Sequence, residues 1–269
     1  VTRVALDQKP RQSGRVPSRT ITWDGFFNAR DLGGLPLADG GTTAFGSFVR
    51  SADPRFVTAD GWQEAHRAGI RTIIDLRNDH EVDRDAPAPP GIERLHVPLD
   101  DFGDTEFWGE IIGRRIHGTP LYIRTFLERK AERCAAVVSA IAAAPGGVVY
   151  HCVAGRDRTG IVTLLLLSLA GVEPAAIAAD YELSIDALRP FFAALGRDDE
   201  GPLVLATLRS HGTAVREAVL TALDGFEAED VLRAAGVSTR DLHTVRGRLR
   251  AASTPPAPRP APPAGRWPG

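Results

Sequence analysis

Residues 146–171 read GGVVYHCVAGRDRTGIVTLLLLSLAG. Behind two glycines, Gly147–Cys152 is a short run rich in β-branched and aromatic residues, the pattern of a strand buried on both faces. Thr159–Ala170 is apolar on nearly every side and about three turns long, the pattern of a core helix. Between them the loop Val153–Arg158 carries a glycine, two arginines and an aspartate, with a cysteine at its entrance. A buried strand that feeds a loop opening a core helix is a unit of an α/β fold.

The chain on either side repeats that alternation. Strand-like runs occur at Thr20–Trp23, Phe45–Arg50, Ile70–Leu76 and Ile92–Leu99. Thr58 is placed to cap a helix that runs to about Ala68 and closes at Gly69. Helical periodicity covers 105–116 and 121–143, then 174–196, 202–222, 227–235 and 238–251. The expected fold is therefore α/β: a central, mostly parallel sheet flanked by helices, with a helical C-terminal part. Residues 1–19 lack periodicity and read as a flexible arm. Residues 20–252 read as one domain, and the proline-dominated 253–269 as an extended, disordered tail.

Composition bounds the function. Of 269 residues, 43% are hydrophobic and 25% charged, ordinary for a globular protein, and the net charge of −2 gives no case for nucleic-acid binding. Two cysteines cannot build a disulfide framework. The first 30 residues show no signal-peptide pattern, and the longest apolar run, Ile161–Ala170, is too short to span a bilayer. The reading is a cytoplasmic protein without stable membrane insertion. Seven histidines show no metal-ligand spacing, so neither metal nor cofactor is expected.

The loop has the parts of a phosphate-binding nucleophilic site. Backbone N–H groups of Val153, Ala154, Gly155 and Arg156 at a helix N-terminus have no helical partner and can converge on an anion. Gly155 frees the loop's backbone angles, and Arg158 can fork onto two phosphoryl oxygens. The same positive field favours the thiolate of Cys152. Thr159 is placed to hydrogen-bond the sulfur, and His151 to prop the loop. The competing reading is a core cysteine at a strand end. The joint pattern of strand, His-Cys, Ala-Gly, Arg-Thr-Gly and helix outweighs it.

On those residues the chain resembles the cysteine-dependent protein tyrosine phosphatase superfamily, whose Cys-x5-Arg loop is met by Cys152–Arg158 with Thr159 following. More narrowly it is similar to bacterial tyrosine phosphatases of the mycobacterial secreted protein tyrosine phosphatase B type. FNARDLGG (27–34), FVRSADP (48–54) with Thr58, GIRTIIDLRNDHE (69–81) and DYELS (180–184) extend the resemblance over about residues 21–190. It implies a metal-free phosphatase working through a phosphocysteine intermediate at Cys152. The substrate would be a phosphorylated protein, phosphotyrosine first and phosphoserine or phosphothreonine next, or a phospholipid headgroup, and the product inorganic phosphate. Arg156 stands where relatives commonly carry Lys, and the expected lid-forming stretch around 100–120 is short.

The resemblance places the proton donor at Asp75, at a strand tip, or Asp157, inside the loop. The plainer alternatives are a salt bridge for Asp75 and a loop brace for Asp157. Asp100, Asp101 and Asp104 could form a mobile acid loop but lack family support. Asn28, Arg30 and Asp31 read as braces of the cysteine loop or as turn residues. Arg156 either recruits a second substrate anion or pairs with Asp157. Cys134 is spaced as helix core. Rival functions are a phosphoinositide or broad phosphomonoester phosphatase, then a rhodanese-like sulfurtransferase and a phosphate-binding module without turnover.

Overall fold

A computed structural model describes residues 18–82 and 89–250. The proposed proline-rich tail, and all of the proposed arm except Ser18 and Arg19, lie outside those residues. Arg19 is tied into the domain through Asp31 and Asp180.

Five strands form one sheet in the order β1-β2-β5-β3-β4: β1 (Arg30–Asp31), β2 (Phe48–Ser51), β5 (Gly147–His151), β3 (Ile70–Asp75) and β4 (Glu93–His96). Only the β1–β2 pair is antiparallel; β2–β5, β5–β3 and β3–β4 are parallel. The parallel strands thus end together, at Ser51, His151, Asp75 and His96. That edge is where an α/β sheet opens a binding crevice.

The helices are α1 (Ala59–Arg67), α2 (Thr105–Gly113), α3 (Ile123–Arg129), α4 (Ala131–Ala143), α5 (Asp157–Ala170), α6 (Pro174–Ala187), α7 (Arg189–Ala194), α8 (Gly201–Ser210), α9 (Val215–Leu223), α10 (Ala228–Ala234) and α11 (Thr239–Arg250). The nearly all-apolar α5 packs against α4, α6, α10 and α11 as well as against the sheet, which is why it shows no polar face. Gly160 is the price of one such contact: a Cβ there would lie 2.6 Å from the Tyr181 ring on α6.

Three long helical expectations break in two. Residues 121–143 break at Lys130, whose backbone is non-helical and whose ammonium is drawn to Asp104 at 2.6 Å. The break of 174–196 falls at Leu188, just before Pro190, and that of 202–222 at Gly212, whose φ is +72°. Thr20–Trp23 is not a strand; only Thr20 bridges Arg30. Instead Arg30–Asp31 forms the edge strand. Cys134 is fully buried in the core, and burial pushes its thiol pKa up.

Candidate active site

Cys152 follows the last residue of the central strand β5, so its position is set by pairing on both sides, to β2 and to β3. Residues 152–156 then turn directly into the N-terminus of α5. The turn needs Gly155. Its φ is +70°, and an added Cβ would meet the Ser51 carbonyl oxygen at 2.2 Å. The Gly155 amide donates to the Cys152 sulfur at 3.3 Å, so at least one loop N–H already points at the reacting atom.

Two side chains hold the loop from behind. Asn28 donates to the Ala154 and Gly155 carbonyls, 3.1 Å each, and Arg50 donates to the Gly155 carbonyl at 2.8 Å. Fixing these carbonyls outward leaves the opposite side of the loop to its amides. Asn28 takes a left-handed φ of 49° to do this and accepts from Arg30 at 2.7 Å. Behind them Asp180, completely buried, accepts from Arg30 at 2.9 Å, from Arg50 at 2.6 Å and from Arg19. Ser184 accepts from Arg30 at 3.0 Å. Burial and the Arg50 charge lower the Arg30 pKa to about 10, against the opposing pull of Asp180. The three guanidiniums hold the Asp180 carboxyl far below its ordinary range despite its burial. Asp31 works elsewhere. It accepts from the Gly33 and Gly46 amides at 2.7 and 2.8 Å, bracing a turn rather than the cysteine loop.

Arg158 is clamped by Glu81, Nη1 to Oε2 at 2.5 Å and Nη2 to Oε1 at 2.9 Å, while its Nε lies 3.3 Å from Asp100. Burial opposes both charges. The pair outweighs it, raising the Arg158 pKa and holding Glu81 at about 2. Glu81 sits just past β3, at the end of the GIRTIIDLRNDHE stretch, and in turn takes the Asn78 amide at 2.8 Å.

The two expected proton donors separate. Asp75 is fully buried, does not line the cavity that contains Cys152, and accepts from Arg77 at 2.9 and 2.6 Å. Burial would raise its pKa, but Arg77 and His151 bring it to about 2. The chain turns after Asp75, which lets Arg77 fold back onto it. Asp157 does line the cavity; it accepts from Tyr181 at 2.9 Å and faces Arg156 at 3.3 Å. Against the effect of burial, Arg156 foremost lowers its pKa.

Asp100 behaves differently. It is 7% exposed, lines the same cavity, and its Oδ1 is buried with no hydrogen-bond partner among the described residues. Burial raises its pKa and Glu81 adds to the rise, with Arg158 and Asn78 opposing. Its neighbours are otherwise occupied: Asp104 caps α2 and pairs with Lys130, and Asp101 pairs with Lys130 and Arg133. Glu81, Arg50 and Asp180 are site members that lie in the stretches carrying the resemblance but receive no role from the sequence, and Asp100 stands there only as one of three loop aspartates.

The remaining expectations fall as follows. His151 is buried, with Nδ1 3.0 Å from the Cys152 carbonyl oxygen and Nε2 3.8 Å from Asp75; burial lowers its pKa, with Asp75 opposing. Thr159 is buried, and its hydroxyl makes no hydrogen bond among the described residues, to the sulfur or otherwise. Arg156 pairs with both Asp157 and Glu200 at 3.3 Å, so its charge is already matched. Among the described residues no cluster could hold a metal ion, and no helix is long and apolar enough to cross a membrane.

The cavity is about 290 Å³ and is lined by Cys152, Val153, Ala154 and Arg158. Phe102, Trp108, Tyr122 and Phe192 line its sides. Phe102 stacks on Trp108 with ring centroids 4.9 Å apart. A nucleophile and anion donors in a pocket that aromatic side chains also line suit transfer of a phosphoryl group from a flat substrate.

Comparison with known proteins gives the same direction. The model of the tyrosine phosphatase family matches residues 21–251. A Cupriavidus necator protein named as a tyrosine-protein phosphatase is 28% identical over 184 residues, covering 65% of this chain and 67% of that protein. A tyrosine-protein phosphatase of Nostoc commune is 30% identical over 188 residues, covering 67% of this chain but 56% of that protein. The triple specificity protein phosphatase PtpB of Mycobacterium tuberculosis is 29% identical over 194 residues, covering 61% of this chain and 68% of that protein.

Proposed function

The chain belongs to the tyrosine phosphatase family of cysteine-based phosphatases, and from that premise we propose that it hydrolyses phosphotyrosine through a phosphocysteine intermediate on Cys152. The observation that carries this reading is that Cys152, whose sulfur accepts from the Gly155 amide, and the Glu81-clamped Arg158 line one cavity together with Phe102, Trp108, Tyr122 and Phe192. The Cys152 thiolate attacks phosphorus, and the P–O bond to the leaving group breaks with its electron pair. Val153–Arg156 amides and Arg158 hold the equatorial oxygens, where charge stabilisation contributes most to phosphoryl transfer. Glu81 keeps the Arg158 fork aimed, and Asn28 and Arg50 keep the loop's shape.

The departing oxygen needs a proton, and we assign it to Asp100 rather than Asp75 or Asp157. An acid must be protonated to act. Burial favours the neutral form of Asp100, whereas Arg77 and Arg156 keep the other two ionised. In the second step a water attacks the phosphocysteine and gives its proton to the Asp100 carboxylate. Inorganic phosphate leaves and the thiolate returns.

The substrate range is tested by comparing a phosphotyrosine peptide, a phosphoserine peptide and phosphoinositides. The aromatic walls predict the highest kcat/KM for phosphotyrosine; a higher value for phosphoinositides would favour the lipid-headgroup reading. The acid is tested by leaving group. Asp100→Asn is expected to slow an alkyl phosphate by about 10²–10⁴-fold and p-nitrophenyl phosphate far less. Equal slowing of both would remove Asp100 from the role.

A further inference from the structure

Most polar side chains that line the catalytic cavity are matched. Glu81 is taken by Arg158, Asp157 and Glu200 by Arg156, and the Trp108 ring N–H by the Asp101 carbonyl at 2.9 Å. Two buried groups are not. Among the described residues Asp100 Oδ1 has no hydrogen-bond partner, and neither has the hydroxyl of Tyr122, a residue only 3% exposed. An interior hydroxyl without a hydrogen bond bears its full desolvation cost, so one placed in a cavity calls for a partner that arrives during turnover.

The local sequence fixes Tyr122 in that place. It ends a single 3₁₀ turn, Pro120–Tyr122, which Thr119 caps by accepting from the Leu121 amide at 3.3 Å. Its ring packs against Trp108 and Phe126, with centroids 6.2 Å away in each case. Burial foremost, with Asp157 and Asp100 adding, raises its pKa well above the ordinary phenol value, so the hydroxyl stays neutral.

We propose that the Tyr122 hydroxyl, together with Asp100, holds the water that hydrolyses the phosphocysteine. The proposal rests on the phosphocysteine reading above. In-line attack puts that water where the leaving group's oxygen stood, beside the acid that protonated it. The water must aim a lone pair at phosphorus, give one proton to the Asp100 carboxylate and rest its other O–H on a fixed acceptor. As the O–P bond forms, the P–S bond breaks with its electron pair on sulfur. A second carboxylate as that acceptor would repel the phosphoryl charge, and a neutral phenol does not. His80 and His117 also line the cavity, but both are exposed and open to bulk solvent.

The test is Tyr122→Phe, which keeps the ring contacts and removes only the oxygen. Wild type and variant are acid-quenched in the steady state with saturating p-nitrophenyl phosphate. Peptide mass spectrometry then reads the fraction of Cys152 that carries a phosphoryl group, and kcat divided by that fraction is the rate of the water step. That rate is expected to fall about tenfold, the scale of one neutral hydrogen bond, with kcat/KM within about twofold of the wild type because it reports formation of the phosphocysteine. A purely structural loss would lower kcat/KM as well. An unchanged water step would overturn the proposal. So would an equal fall in kcat/KM, which would put the hydroxyl on the first step instead. Hydrolysis with no phosphoryl label on Cys152 in either protein would bring down the phosphocysteine reading and this proposal with it.

Discussion

Asp180→Asn is the substitution that most severely tests how the cysteine loop is held. One buried carboxylate faces the guanidiniums of Arg19, Arg30 and Arg50, and of these Arg50 is wholly inaccessible to solvent. Removing the charge leaves cations buried without a counter-ion, a loss of about 3–5 kcal/mol when one side of a buried pair is deleted. For a domain of this size that is a fall in Tm of roughly 6–20 °C. Activity should fall with it even well below Tm, because Arg50 also holds the Gly155 carbonyl that orients the loop. The control is Ser184→Ala, which removes a neutral acceptor shared by Arg30 and Arg50 and should cost about 1 kcal/mol. Thermal unfolding with p-nitrophenyl phosphate kinetics at 25 °C on the same samples reads both effects. An Asp180→Asn protein that melts within about 2 °C of wild type, or keeps full kcat/KM, would refute the reasoning.

Gly155→Ala should drop kcat/KM by about 10²-fold, since a Cβ 2.2 Å from the Ser51 oxygen forces the loop to shift by an ångström or so; a near-normal rate would mean the loop tolerates that shift. Acid stability should follow Asp75 and Glu81. Their folded pKa values of about 2 lie below the ordinary 3.8 and 4.5, so their stabilisation is complete above the ordinary values and is lost as pH falls toward 2. Urea midpoints measured from pH 5 downward should decline over that window, and less steeply in Glu81→Gln; an identical slope in the variant would contradict the Glu81 contribution. Asp75→Asn should lower stability without the leaving-group dependence expected of Asp100→Asn, and a leaving-group dependence would restore Asp75 as the acid.

What the sequence makes legible is the part whose signals are local. A β-branched run, a Cys-to-Arg loop with a glycine at its turn and an apolar helix lie within 26 consecutive residues, and both the sheet's centre and the loop residues that line the cavity follow from them. Pro190 and Gly212 also announce two of the helix breaks, but the helical periodicity on either side masks them. Arg158's partner Glu81 lies 77 positions away, and nothing in the spacing selects it from other carboxylates. Asp100 stands out only once tertiary packing buries it and leaves one oxygen without a partner; in sequence it is one of three aspartates after a strand. Asp75 shows the reverse. A strand-tip position looks catalytic until the chain turns and Arg77 folds back to engage it. The Arg30–Asp31 strand has two residues, too few for any periodicity to show.

The central claim is that the phosphoryl group passes through the Cys152 sulfur. Rapid acid quench during turnover of p-nitrophenyl phosphate, followed by peptide mass spectrometry, measures this directly. The account predicts one phosphoryl group on the peptide that contains Cys152 in the wild type. Cys152→Ser should show none, and no turnover, while still binding phosphate. Phosphoryl label on another residue, or hydrolysis by Cys152→Ser near the wild-type rate, would contradict it.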